Sequence, residues 1–182
     1  MRILVVSGCL LTFGTGLQPA NTAQDCVTIA TPKSALGYSY QHVESTGGKT
    51  VYTDHWESMT ETGSRVRTTR GGAVDSTVFR PGIVSDPAFR ACAGRSWRIP
   101  SVIASYRSQQ TTASAASPAG TLKVVAIREK ITVPAGTFST VHYIRTSQSV
   151  DEYWKSIAHG VVVKHIGRLP RAAVTDVLVA IK

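Results

Sequence analysis

The sequence of 182 residues has few of the residues that build metal centres or reactive thiols. It contains three cysteines and five histidines, and none of them stand at the CxxC, HxH or HExxH spacings typical of zinc ligands. A GxSxG nucleophile elbow, a P-loop and a GxGxxG turn are also missing. The sequence therefore assigns no catalytic residue, no metal ligand and no cofactor, and it favours a function other than catalysis.

Long apolar stretches are scarce beyond the N-terminal segment. There Arg2 precedes a mostly apolar run, Ile3 to Leu17, and small residues up to Ala23 precede Gln24, the pattern of a secretory signal peptide. No later stretch approaches the length of a membrane-spanning helix. We predict a signal peptide over residues 1–23 and one exported, periplasmic or extracellular domain over residues 24–182.

A lipid anchor is the minor alternative for the N-terminal segment. Residues 6–9, Val-Ser-Gly-Cys, resemble a bacterial lipobox, in which Cys9 is acylated and becomes the first residue of the mature protein. Only four apolar residues precede Cys9, so ordinary secretion is the preferred interpretation unless the start codon lies upstream.

The cysteine count agrees with export in either case. Removal or acylation of Cys9 leaves one pair, Cys26 and Cys92. In an oxidising compartment such a pair favours a disulfide over two free thiols. We predict that bond.

Acidic residues are also few, since 11 Asp and Glu face 20 Lys and Arg, a net charge of +9. A basic surface suits anionic partners such as lipid headgroups, lipoproteins or acidic polysaccharide, with contact to a membrane at most peripheral. Arg65 and Arg67 project from one face of a predicted strand as a candidate anion clamp; a solvated face is the alternative. A nucleic-acid groove is not expected, because few stacking aromatics accompany these arginines.

The remaining pattern is that of short β-strands separated by glycine turns. It predicts an all-β domain with antiparallel neighbours, as a curved sheet or half barrel, and we expect Trp56 and Tyr52 to bind ligand in its concave face. Ser85-Asp86-Pro87 predicts one short helix over residues 87–93. Residues 108–121, rich in Ser, Thr and Ala, are interpreted as a mobile loop.

The clearest motif joins two predicted strands through Val133-Pro134-Ala135-Gly136-Thr137-Phe138, in which proline and glycine predict a three-residue hairpin loop with a bulge. Together with Tyr153-Trp154 and the Ala158-His159-Gly160 turn that follow, it resembles the TapB-like group of secreted bacterial domains over about residues 120–182. The resemblance implies a curved half barrel like that of the LolA-type lipoprotein carriers. It brings no catalytic residues.

These observations predict an exported envelope protein that binds or carries an amphipathic or anionic ligand. Two alternatives stay open: a secreted hydrolase with scattered site residues, and a structural protein-interaction domain. A histidine beside both a hydroxyl and a carboxylate in an open cleft would favour the hydrolase. The sequence says nothing about oligomeric state.

Overall fold

A computed structural model describes residues 25–60, 62–81, 89–108, 112–169 and 172–182. The predicted signal peptide and Cys9 lie outside the described residues. Among those that are described, no helix is long and apolar enough to cross a membrane.

The described residues form fourteen strands. They are β1 (Cys26–Thr28), β2 (Gly37–Glu44), β3 (Lys49–Met59), β4 (Ser64–Arg70), β5 (Ala73–Arg80), β6 (Arg90–Cys92), β7 (Ser96–Ile99), β8 (Val102–Arg107), β9 (Thr112–Ser117), β10 (Gly120–Val133), β11 (Gly136–Thr146), β12 (Val150–Ser156), β13 (Val162–Leu169) and β14 (Ala172–Ile181). The predicted all-β class is confirmed.

Twelve of these strands form one antiparallel sheet, in the order β7-β10-β11-β12-β13-β14-β2-β3-β4-β5-β8-β9. Strands β2 to β5 and β10 to β14 are two meanders, in which each strand pairs with the next along the chain. The two meanders meet where β14 pairs with β2. The sheet is curved but not closed by hydrogen bonds, in agreement with the predicted curved sheet.

The two ends of the sheet are joined by a very short link. Strand β7 lies at one end and β8 is second from the other end, yet only Pro100 and Ser101 separate Ile99 from Val102. Three Cα–Cα steps of 3.8 Å span at most about 11 Å. The sheet therefore curls until its ends approach each other at this link, and its inner face encloses a space.

A small ribbon covers part of that inner face. Strands β1 and β6 pair antiparallel, with Cys26 opposite Cys92, and the predicted disulfide joins these two residues. Val27 and Ala91 of the ribbon pack with Leu122, Val124, Val141 and Tyr143 of β10 and β11 in one buried cluster. Apolar burial of this kind fixes the ribbon against the sheet.

The hairpin between β10 and β11 confirms the predicted turn, with one difference. Val133 pairs directly with Gly136, so the loop contains two residues, Pro134 and Ala135, where three are expected from the sequence. Gly136 has a φ of +131°, a conformation that glycine adopts without a Cβ clash.

Of the helix predicted over residues 87–93, the described residues keep helical backbone only at Phe89, which lies in a 3₁₀ turn. Arg90–Cys92 form strand β6, while residues 82–88 lie outside the described residues. Pairing with β1 satisfies the backbone of this segment, and three residues held beside Cys26 by a disulfide cannot also form a helical turn.

The predicted loop over residues 108–121 is also corrected. Thr112–Ser117 form the edge strand β9, which pairs with β8, and β10 begins at Gly120. Residues 109–111 lie outside the described residues. Five of the six side chains of β9 are exposed, so the strand depends on its backbone pairing and carries no alternating apolar pattern in the sequence.

Candidate functional site

The inner face of the curled sheet encloses a cavity of about 450 Å³. This volume lies within the usual range of small-molecule pockets. Most of its wall is apolar or aromatic, and the aromatic lining residues are Tyr40, Tyr52, Trp56, Phe79, Tyr143 and Tyr153. The charged and titratable lining residues are Asp54, Arg145, Lys155, His165 and Asp176.

One side of the cavity is an aromatic wall built by β2, β3 and β5. Alternation along β3 turns Tyr52, Asp54 and Trp56 to the same face. The rings of Tyr40 and Tyr52 stack with their centroids 5.2 Å apart, and Trp56 lies 6.2 Å from Phe79. Such a wall offers a large, rigid apolar surface to a ligand.

Asp176 on β14 is the centre of a polar network in the cavity wall. Its carboxylate lies 2.7 Å from Nδ1 of His42 and 2.9 Å from Nδ1 of His165, and it accepts a hydrogen bond of 3.3 Å from the hydroxyl of Tyr52. Burial acts to raise the pKa of Asp176, but the hydrogen bonds and charges of the two imidazoles outweigh it and hold that pKa below its usual range.

His165 is enclosed by acidic partners. Its Nε2 lies 3.5 Å from the carboxylate of Asp151, and its ring stacks on Tyr153 at 4.6 Å between centroids. Both ring nitrogens therefore face carboxylates, whereas a base that activates a nucleophile needs one nitrogen on a hydroxyl. Nδ1 of His42 likewise faces Asp176, and the ring nitrogens of His142, outside the cavity, lie 3.4 Å and 3.3 Å from carboxylates of Glu129 and Glu152.

Asp54 is a second carboxylate in the cavity wall. Burial raises its pKa, although a 2.6 Å hydrogen bond from the hydroxyl of Thr68 and the nearby charge of Arg70 act in the opposite direction. Burial is also the main cause that raises the pKa of Tyr40 and of Tyr52. The acidic groups on this side thus sit in a poorly solvated part of the cavity.

Two cations also line the cavity. Lys155 on β12 is only 7% exposed, and its Nζ lies 3.7 Å from the centroid of the Phe89 ring. Arg145 on β11 donates a hydrogen bond of 2.9 Å from Nη2 to the carbonyl of Pro118. The Nε of Arg145 is buried and has no hydrogen-bond partner.

Two of the four ligand-binding residues predicted from the sequence line the cavity, and two do not. Tyr52 and Trp56 belong to the aromatic wall. On β4 the buried Val66 lies between the exposed Arg65 and Arg67, so these arginines project from the opposite face of the sheet. Arg67 lies 3.4 Å from Glu57 on that outer face.

Two cations that line the cavity, Arg145 and Lys155, are not predicted from the sequence. Arg145 and Lys155 carry a weak signal, since each lies on a strand at the parity of an aromatic residue, two positions after Tyr143 and Tyr153. Side chains two positions apart on a strand share a face, so these two cations lie on the same face as the aromatic residues. The sequence pattern does not predict which face becomes the inner one, because this depends on the curl of the whole sheet.

Trp154 lies between Tyr153 and Lys155 and is not among the lining residues. It is 7% exposed and stacks on His142 at 4.2 Å between centroids. Its Nε1 donates a hydrogen bond of 3.2 Å to Glu129. These contacts indicate a structural role for Trp154.

No protein-family model matches the chain, and a search of curated proteins finds no similar sequence. The resemblance to TapB-like domains stays a prediction from the sequence. Among the described residues, no group of three or more His, Cys, Asp or Glu could hold a metal ion.

Proposed function

We propose that this protein is an exported, non-enzymatic binding protein that holds or carries an amphipathic molecule in the cavity of its curled sheet. One observation carries the proposal: a cavity of about 450 Å³ with a mainly apolar wall and a few charged groups. Ligand pockets typically combine such a wall with a small number of polar anchors. An amphipathic molecule supplies both matching parts.

The polar groups of the cavity support binding better than hydrolysis. The two ring nitrogens of His165 face Asp176 and Asp151, and Nδ1 of His42 faces Asp176. A hydrolase of the serine type needs an imidazole nitrogen on the attacking hydroxyl. The histidines instead fix the strands β2, β13 and β14 to one another through a shared carboxylate.

The ribbon and its disulfide support a cavity of stable shape. The Cys26–Cys92 bond is compatible with an oxidising compartment, and the ribbon that it closes packs on the inner residues of β10 and β11. A preformed cavity binds with a smaller loss of conformational entropy than one that must be ordered by its ligand.

Two measurements test the proposal. The first is native mass spectrometry of the protein purified from its own envelope, in which we expect a co-purified lipid-like molecule. The second is a titration with N-phenyl-1-naphthylamine, a fluorescent apolar probe. Trp56→Ala should weaken probe binding by about tenfold or more, as truncation of an aromatic anchor does.

Val51→Ala is the matched control for this titration, because Val51 lies on the same strand but is 54% exposed. It should leave probe binding unchanged. Circular dichroism establishes that both variants fold. Recovery of the protein with no ligand, together with no binding of the probe or of lipid and polysaccharide panels, would overturn the proposal.

A further inference from the structure

Arg145 differs from the ion-paired arginines among the described residues. Arg67, Arg128 and Arg168 each lie beside a carboxylate, of Glu57, Asp25 and Glu152 respectively. No ion pair among the described residues includes Arg145. Its side chain nevertheless lines the cavity.

The nearest candidate for an ion pair is already engaged elsewhere. In the register of β11 and β12, Asp151 lies directly opposite Arg145. One oxygen of the Asp151 carboxylate lies 3.5 Å from Nε2 of His165, and the other accepts a hydrogen bond of 2.8 Å from the hydroxyl of Ser149. Both carboxylate oxygens of Asp151 therefore have partners other than the guanidinium of Arg145.

The donors of Arg145 are only partly used. A guanidinium has five N–H groups in a planar fork. One terminal nitrogen of Arg145 donates to the carbonyl of Pro118, the guanidinium also hydrogen-bonds the hydroxyl of Tyr153, and the buried Nε has no partner. The Arg145 side chain is partly buried, and its buried Nε is a donor without an acceptor, which is costly. An anion bound in the cavity would supply that acceptor together with an opposing charge.

We propose that Arg145 is the anchor of an anion-binding subsite, which takes the carboxylate or phosphate headgroup of the amphipathic ligand while the aromatic wall takes its apolar part. This inference rests on the proposed function and adds the chemical class of the headgroup. The fork of an arginine matches carboxylate and phosphate oxygens in a bidentate geometry. Asp54 and Asp176 also line the cavity, and their carboxylates disfavour an anion close to them.

The test compares ligands that share one tail and differ in the headgroup. Isothermal titration calorimetry measures binding of dodecanoate, dodecyl phosphate and the neutral dodecyl maltoside, each below its micellar concentration. Inorganic phosphate serves as the anion without a tail. Ionic strength near 0.15 M keeps charges on the outer surface screened beyond about 8 Å.

Arg145→Gln is the test variant and Arg65→Gln the matched control. Both remove one positive charge, but Arg65 is exposed on the outer face. We expect Arg145→Gln to weaken binding of the two anionic ligands by about 10- to 100-fold, the value of one charged hydrogen-bond pair, and to leave dodecyl maltoside unchanged. Arg65→Gln should leave all four ligands unchanged.

The outcomes separate the two proposals. If the neutral ligand binds and Arg145→Gln binds the anionic ligands as the wild type does, the headgroup inference is wrong and the proposed function stands. If no ligand with a dodecyl tail binds, the proposed function itself fails. Tight binding of inorganic phosphate with no gain from the tail would also overturn the amphiphile assignment.

A second measurement covers the case in which Arg145→Gln does not fold. The wild type alone should then prefer the anionic ligands to dodecyl maltoside by at least about tenfold. Arg145→Lys keeps the charge but loses the planar fork. Its affinity for the anionic ligands should lie between that of the wild type for those ligands and that of the wild type for dodecyl maltoside. Equal affinity of the wild type for charged and neutral ligands overturns the inference.

Discussion

Removal of the Cys26–Cys92 disulfide should destabilise the protein by an amount that the structure allows us to calculate. The two cysteines are separated by 66 residues, and the bond closes that long loop in the unfolded chain. The chain-entropy model assigns about 4 kcal/mol to a loop of this length. All of β2 to β5 lies inside the loop, so the restriction acts on four of the twelve strands of the sheet.

The variant is Cys26→Ala with Cys92→Ala, compared with the wild type in urea. With a slope near 2 kcal/mol per M, a loss of about 4 kcal/mol lowers the unfolding midpoint by about 2 M. The reduced wild type should unfold with the double variant. The ribbon of three-residue strands should also lose protection from hydrogen exchange, since so short a pair is not stable by itself.

Two results would refute this reasoning. One is a double variant that unfolds within about 0.3 M of the oxidised wild type. The other is a wild type in which thiol titration finds Cys26 and Cys92 free in the folded state. Either would mean that packing of the ribbon on β10 and β11, and not the bond, holds this part of the fold.

Three further changes test single features. Burial raises the pKa of Asp54, so its charge destabilises the folded wild type above that pKa and the cost disappears as the carboxylate is protonated. Asp54→Asn should therefore be more stable than the wild type at pH 7 and lose this advantage as the pH falls toward 4. Urea unfolding at several pH values measures the difference, and a less stable variant at pH 7 would contradict the prediction. Trp154→Ala should cost about 3–5 kcal/mol in unfolding free energy, and unchanged thermal stability with lost ligand affinity would contradict its structural role. Gly160→Ala should melt at a much lower temperature than Gly47→Ala. Both glycines have positive φ, but of the two only Gly160 lies where a Cβ would meet the carbonyl of Ala30. Equal melting temperatures of the two variants would show that this close approach does not limit stability.

The sequence was sufficient for the class of the fold because the signals are local. Turn residues such as Pro134 and Gly136 fix a hairpin through their own φ values, and two cysteines in a chain of this type favour a bond. Segments that depend on distant partners were predicted wrongly. Residues 90–92 follow a plausible helix start, but they form a strand because Cys26 lies opposite.

The candidate site was predicted in part for the same reason. Tyr52 and Trp56 share a parity, so the pattern correctly places them on one face together. The pattern does not say which face of β4 is inner, and the arginines Arg65 and Arg67 project from the outer face. The network around Asp176 joins residues 134 positions apart, from His42 to Asp176, and such a pairing exists only after the two meanders meet.

The position of β14 has a consequence for how the chain reaches its folded state. This strand lies between β13 and β2 in the middle of the sheet, although it is synthesised after the thirteen strands before it. Strands β2 to β5 and strands β10 to β13 can pair through local contacts, but the sheet becomes continuous only when Ala172–Ile181 enters between β13 and β2. Folding therefore ends with a contact of very large sequence separation, which is a slow step. Until then two strand edges, of β2 and β13, are exposed to other chains, and a nascent or truncated protein without β14 should aggregate through them.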